Sequence, residues 1–190
     1  MIDNGYIGLL FGAKWENDRI HLNDAEFIRK NDRFVQEGDI MLSSRHLSTV
    51  FLYRPSTNKI VWLKTGPFLN QHDIDYLGNG EFLIYGNDNV NFGNARLVKD
   101  YSSLYVYDMK NDTVSRKLGL ENANVNNNSQ GRSQLLDNGH FFIDDSKRVL
   151  ILDSKGSIVF SYTHPINSER IGSLHWARFY HELPTTYLER

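Results

Sequence analysis

The sequence contains no cysteine. Disulfide frameworks, zinc-thiolate centres and cysteine nucleophiles are therefore excluded. No apolar run approaches the roughly 18 residues that cross a bilayer, which excludes a membrane-spanning helix. The opening, Met1-Ile-Asp-Asn-Gly-Tyr6, lacks a basic stretch followed by an apolar one, so no signal peptide is read there. Charge of one sign is lacking too. The 21 Lys and Arg residues stand against 23 Asp and Glu, for a net charge of −2. Scattered, balanced charge argues against a nucleic-acid-binding face. With 4 prolines and 14 glycines the chain is not low-complexity, although 122–128 is locally Asn-rich. What remains is 190 residues, 40% hydrophobic and 13% aromatic, enough for the core of one domain or of part of a larger one.

That apolar material is organised as a repeat. One segment runs Gly38-Asp-Ile-Met-Leu-Ser-Ser44, Ser48-Thr-Val-Phe-Leu-Tyr-Arg-Pro55 and Asn58-Lys-Ile-Val-Trp62. A second runs Gly80-Glu-Phe-Leu-Ile-Tyr85, Ser103-Leu-Tyr-Val-Tyr-Asp108 and Asn111-Asp-Thr-Val-Ser115. The third runs Gly139-His-Phe-Phe-Ile-Asp144, Arg148-Val-Leu-Ile-Leu-Asp153 and Lys155-Gly-Ser-Ile-Val-Phe160. Short runs of Val, Ile, Phe, Tyr and Leu cut by Asn, Asp and Gly turns read as antiparallel strands. The connections at 55–58, 109–112 and 154–156 read as hairpin turns. A further strand precedes each trio, at 21–28, 72–77 and 131–136, which makes four per unit.

Tyr53, Tyr107 and Leu152 fall at equivalent places, 54 and 45 residues apart. Four-stranded units at that period predict the blades of a β-propeller. The expectation is an all-β fold: a single partial propeller over 1–190, with blades at about 21–66, 72–118 and 131–163. Flanking strands are expected at Gly5 to Trp15 and in the tail, Leu174 to Tyr180. Three blades do not close a ring that needs about four to eight. The chain is expected to belong to a longer protein with upstream blades, or to be completed by another chain, a second copy included.

Three phrases open strands and carry chemistry: His21-Leu-Asn-Asp24, Ser43-Ser-Arg-His46 and Gln71-His-Asp73. The first strand of a blade lines the central channel, and His21 and His72 stand 51 residues apart, about one blade. They are expected to face one cavity, with Arg45 at its mouth. Two imidazoles and a guanidinium suit a tetrahedral oxyanion: arginine grips two oxygens at once, and neutral histidine is a nucleophile or proton donor. A metal site fits less well, because a nearby arginine repels the ion. The plainer alternative is that His21 and His72-Asp73 satisfy hydrogen bonds between blades. His46, His140, His164, His175 and His181 default to surface or packing roles.

Two other stretches fail their motifs. Gly8-Leu-Leu-Phe-Gly-Ala-Lys14 has one residue too few for a nucleotide phosphate loop, and Trp15 stands where Ser or Thr is required. The stretch 87–93 has Phe92 where a calcium loop needs glycine; it reads as a plain loop at the channel mouth. No cofactor is expected.

The histidine and arginine phrases, with Leu52-Tyr-Arg-Pro-Ser-Thr57 and Trp62-Leu-Lys-Thr-Gly-Pro-Phe68, resemble the arylsulfotransferases that work without a nucleotide. The resemblance runs from about His21 to Phe160. It implies a six-bladed propeller that moves a sulfuryl group from an aryl sulfate donor to a phenol acceptor. It implies His72 as the transiently sulfated residue, with His21 and Arg45 holding the sulfate. Trp62 and the tyrosines become candidates to stack on the aryl ring. The family resembled has a further active-site histidine on an upstream blade that this chain does not contain. Its enteric members are periplasmic, with an export signal and a disulfide; no such signal is read after Met1, and without cysteine no disulfide is expected. The compartment stays open. So does a rival function: a non-catalytic propeller module that binds a small anion or a protein.

Overall fold

The computed structural model describes Asn4 and residues 18–92, 95–98, 100–174 and 176–182. Among them there are fourteen strands, with short 3-10 turns at Arg45–Leu47 and Pro55–Thr57. Strands β1 (Leu22–Phe27), β2 (Ile40–Ser44), β3 (Thr49–Arg54) and β4 (Lys59–Thr65) form one antiparallel sheet in chain order. The second sheet uses β5 (Asp73–Gly78), β6 (Glu81–Gly86), β9 (Ser103–Asp108) and β10 (Thr113–Gly119). The third holds β11 (Arg132–Leu135), β12 (Phe141–Asp144), β13 (Arg148–Leu152) and β14 (Ile158–Thr163). Three four-stranded antiparallel meanders, with no closed barrel, make a partial propeller.

The hairpin connections follow from residues that tolerate positive φ. Asn58 (φ 53°), Asp112 (φ 51°) and Gly156 (φ 85°) close the three turns between the third and fourth strands. One element departs from expectation. The stretch 87–93 is not a plain loop: β7 (Asn89–Phe92) pairs with β8 (Ala95–Val98) as a hairpin inserted between β6 and β9. Alternating Asn with Val and Phe supplies a period of two, which suffices for a two-stranded ribbon. The tail also differs. After an isolated bridge between Pro165 and Ile171, no strand forms among the described residues 172–182. Gly5 to Trp15 lies outside the described residues.

Two apolar layers hold the sheets together. Between the first and second sheets lie Met41, Val50, Leu52, Ile74, Phe82, Ile84, Tyr105 and Tyr107. Between the second and third lie Leu83, Tyr85, Leu104, Leu118, Phe141, Ile143, Leu150 and Leu152. Strand β6 serves both. Phe82 and Ile84 point one way, Leu83 and Tyr85 the other, because successive side chains leave opposite faces. That is why Phe82-Leu-Ile-Tyr85 is apolar without interruption. Outer strand β14 is the contrast: Val159 is 54% and Phe160 49% exposed. The inner strands stand side by side, with β5 packed between β1 and β11.

Candidate functional site

The residue just before the first strand of each sheet occupies a repeated position: His21 before β1, His72 before β5 and Gly131 before β11. At each, the chain enters the inner strand of a blade at the same end of the channel. His21 and His72 line one cavity of about 320 Å³, together with Asn23, Ser129, Gly131, Arg132, Asp144 and Trp176.

His21 is held by Asp18. The backbone N–H of His21 donates to Asp18 Oδ1 at 2.8 Å, and its ring Nδ1 lies 2.6 Å from Oδ2. Those bonds hold the carboxyl of Asp18 below its usual range. They also fix His21 at φ 48°, in the left-handed region that non-glycine residues avoid. A carboxylate on Nδ1 leaves Nε2 as the ring's free edge. Arg45 follows from the same construction. It opens the 3-10 turn after β2, and its N–H donates to the carbonyl of His21 at 2.9 Å. Its guanidinium donates from Nη2 to the Asn128 carbonyl at 3.1 Å, reaching from the first blade to the loop before the third.

His72 is placed by its neighbours in the Gln-His-Asp phrase. The buried amide Nε2 of Gln71 lies 3.0 Å from the Ser44 carbonyl, 2.9 Å from the Thr49 carbonyl and 3.1 Å from Ser43 Oγ. Gln71 thus pins the entry of β5 onto the first sheet, beside His21. The His72 N–H donates to the Tyr85 carbonyl at 2.9 Å. Asp73 then accepts from Arg132 Nε at 3.1 Å and from the Ser133 N–H at 2.9 Å, which ties the same strand to the third sheet. Burial raises the carboxyl of Asp73, reinforced by the nearby charge of Asp24, while Arg132 opposes the shift.

The electrostatic outcome is concentrated on His72. Burial pushes it down to about 4, and the positive charges of Arg45, His21 and Arg132 add to that; a Ser129 backbone hydrogen bond works the other way. At neutral pH the ring is therefore uncharged and carries a lone pair in a positive field. A neutral imidazole beside fixed cations can attack an electrophile whose outer oxygens are anionic. Among the described residues, no group of three or more His, Asp or Glu is arranged to hold a metal ion.

Of the three residues singled out in the sequence, His21 and His72 share a cavity wall. Arg45 does not line that wall, but its charge acts on His72. Trp62 is elsewhere. It packs on Phe82 and Tyr107 between the first two sheets, and its Nε1 donates to Tyr107 Oη at 2.9 Å. The aromatic residue at the cavity is Trp176, 6.3 Å from the His72 ring and 5.3 Å from the Arg132 guanidinium. Arg132 and Trp176 carried no motif, since they are remote in sequence from the phrases they join, and Asp18, three residues before His21, lies just outside its phrase. Asp73 was visible in Gln71-His-Asp73, but its arginine partner was not.

No curated protein matches the chain. The profile of a protein family described as Arylsulfotransferase (ASST) matches residues 11–165, a span that takes in all three blades and the His21, Arg45 and His72 phrases. The chain thus belongs to the arylsulfotransferase family.

Proposed function

We propose that the chain carries the catalytic half-site of an aryl-sulfate sulfotransferase that works through a sulfohistidine on His72. The observation that carries this reading is a neutral, half-buried imidazole on the wall of a cavity that Arg132 also lines, with the charge of Arg45 acting on it from outside that wall. Nδ1 of His72 is sealed among protein atoms, so Nε2 is the nitrogen that meets the donor. In the first half-reaction an N–S bond forms while the S–O bond to the aryl group breaks. The phenolate leaves with the electron pair. In the second, an acceptor phenol oxygen bonds to sulfur, the N–S bond breaks, and the phenolic proton passes to solvent. His21 and Arg45 offset the charge on the sulfuryl oxygens, the work done by fixed cations in phosphoryl transfer. Trp176 is the surface on which the aryl ring stacks.

The three blades are read as part of a larger ring. The exposed apolar side chains of β14 support a further blade against that face, supplied by more of the same protein or by another chain.

The test is chemical. The protein is mixed with an aryl sulfate and no acceptor, quenched, digested and mapped by mass spectrometry. A sulfuryl adduct on His72, absent in His72→Asn, is expected. An adduct on another residue overturns the mechanism. Binding of the aryl sulfate with neither adduct nor phenol release favours the non-catalytic anion-binding module.

A further inference from the structure

His46 belongs to none of the roles above, yet it touches two of the residues that have them. Its ring stacks on that of His21, with centroids 4.7 Å apart and planes 20° from parallel. Its Nδ1 lies 2.7 Å from the backbone carbonyl of Asp18, and its Nε2 lies 3.3 Å from Nη1 of Arg45. The chemistry of these two partners fixes the proton. A carbonyl oxygen can only accept, so Nδ1 must carry the hydrogen. A guanidinium can only donate, so Nε2 must be the bare acceptor. Both contacts are made at once only by the neutral Nδ1–H tautomer. Asp18 is therefore a shared foundation. Its carboxylate holds the ring of His21 and its carbonyl holds the ring of His46.

From this geometry we propose that His46 is a positioning residue for sulfate recognition. It holds the Arg45 guanidinium by accepting a hydrogen bond at Nε2, and it buttresses the face of the His21 ring. The inference rests on the proposed role of Arg45 and His21 in gripping an anion. Its first readout, however, does not depend on transfer. An arginine side chain reaches its target through several rotatable bonds, and a second acceptor on the fork removes much of that freedom before substrate arrives. The stacked imidazole restricts His21 in the same way.

Histidine-selective 15N NMR on the whole chain reads the tautomer directly. His46 is expected as Nδ1–H with an unprotonated Nε2; finding it as Nε2–H overturns the inference. Two variants then separate its two ring nitrogens. His46→Asn keeps a donor near the Asp18 carbonyl and loses the acceptor for Arg45. His46→Gln restores an oxygen acceptor near the position of Nε2. The Arg45 side-chain 15N signal should shift and broaden in the Asn variant and return toward the wild-type position in the Gln variant. Binding of p-toluenesulfonate, a sulfonate that cannot transfer its group, should weaken about 10-fold in His46→Asn and recover most of that loss in His46→Gln. An unchanged Arg45 signal in both variants overturns the inference, whether or not the wild type binds the sulfonate. Failure of the wild type to bind it, with the tautomer and the Arg45 response as expected, counts against the anion-binding function and leaves the positioning contact established.

Discussion

The entries to β5 and β11 occupy the same place in successive blades, yet one carries an imidazole and the other no side chain. A Cβ built on Gly131 would stand 2.4 Å from the ring of Tyr85, and Gly131 sits at φ 125°. At His72 the corresponding space opens into the cavity. Repetition thus supplied equivalent sites, and packing decided which could hold a reactive group. In the third blade the side chain that reaches the cavity belongs to the next residue, Arg132, whose guanidinium spans Asp73 and the Trp176 face. The comparison teaches that a blade contributes to the site from whichever position its neighbour leaves free.

The largest effect that would break this comparison is at the occupied entry. His72→Ala and His72→Asn should each lower aryl-sulfate turnover by on the order of 10⁴-fold or more, as loss of a covalent nucleophile does. Steady-state phenol release measures it, and near-normal turnover in either variant would sink the assignment. Next comes Arg45→Lys. The charge survives but the two-pronged grip does not, and one lost charge-assisted hydrogen bond of about 1.5–3 kcal/mol corresponds to about a 10- to 150-fold loss in kcat/KM. A lysine variant as fast as wild type would show that Arg45 acts only as a point charge.

At the empty entry, Gly131→Ala should destabilise the chain by about 1–3 kcal/mol, since it meets both a rigid ring and a positive φ. Denaturant melts measure it. Unchanged stability would mean that packing does not account for the difference between the two blades.

The smallest effect concerns pH. His72 lies below its ordinary 6.5, at about 4, so between those values the unfolded chain binds more protons than the folded one. The contribution of His72 to stability is thus complete above pH 6.5 and is lost as pH falls toward 4. Wild type should lose melting temperature relative to His72→Asn across that window. In the same way the limb of kcat/KM due to His72 should fall near pH 4. A limb near 6.5 that His72 alone explains would place the ring in a more open site.

Much of this fold is legible in the sequence. The strand runs and turn residues pointed to an all-β fold of three four-stranded antiparallel sheets, because alternation and positive-φ turns are local. The phrases containing His21 and His72 were legible for a related reason: each lies where a repeat begins. The stretch 87–93 misled because its composition suggested a loop while its alternation suited a ribbon. Trp62 misled because large aromatics serve cores as readily as ligands, and only the position of Phe82 and Tyr107 tells which.

What the sequence determined by itself was the blade count, the absence of thiol chemistry and the family. Each follows from composition or from residues near one another in the chain. Only the tertiary structure decided that Gln71 would pin β5 to the first sheet and that Asp18 would support both His21 and His46. It alone brought Arg132 across from another blade to Asp73. Arg132 and Asp73 stand 59 positions apart, and their pairing depends on how the sheets stack, since side chains that distant in sequence meet only when the apolar layers between blades have formed.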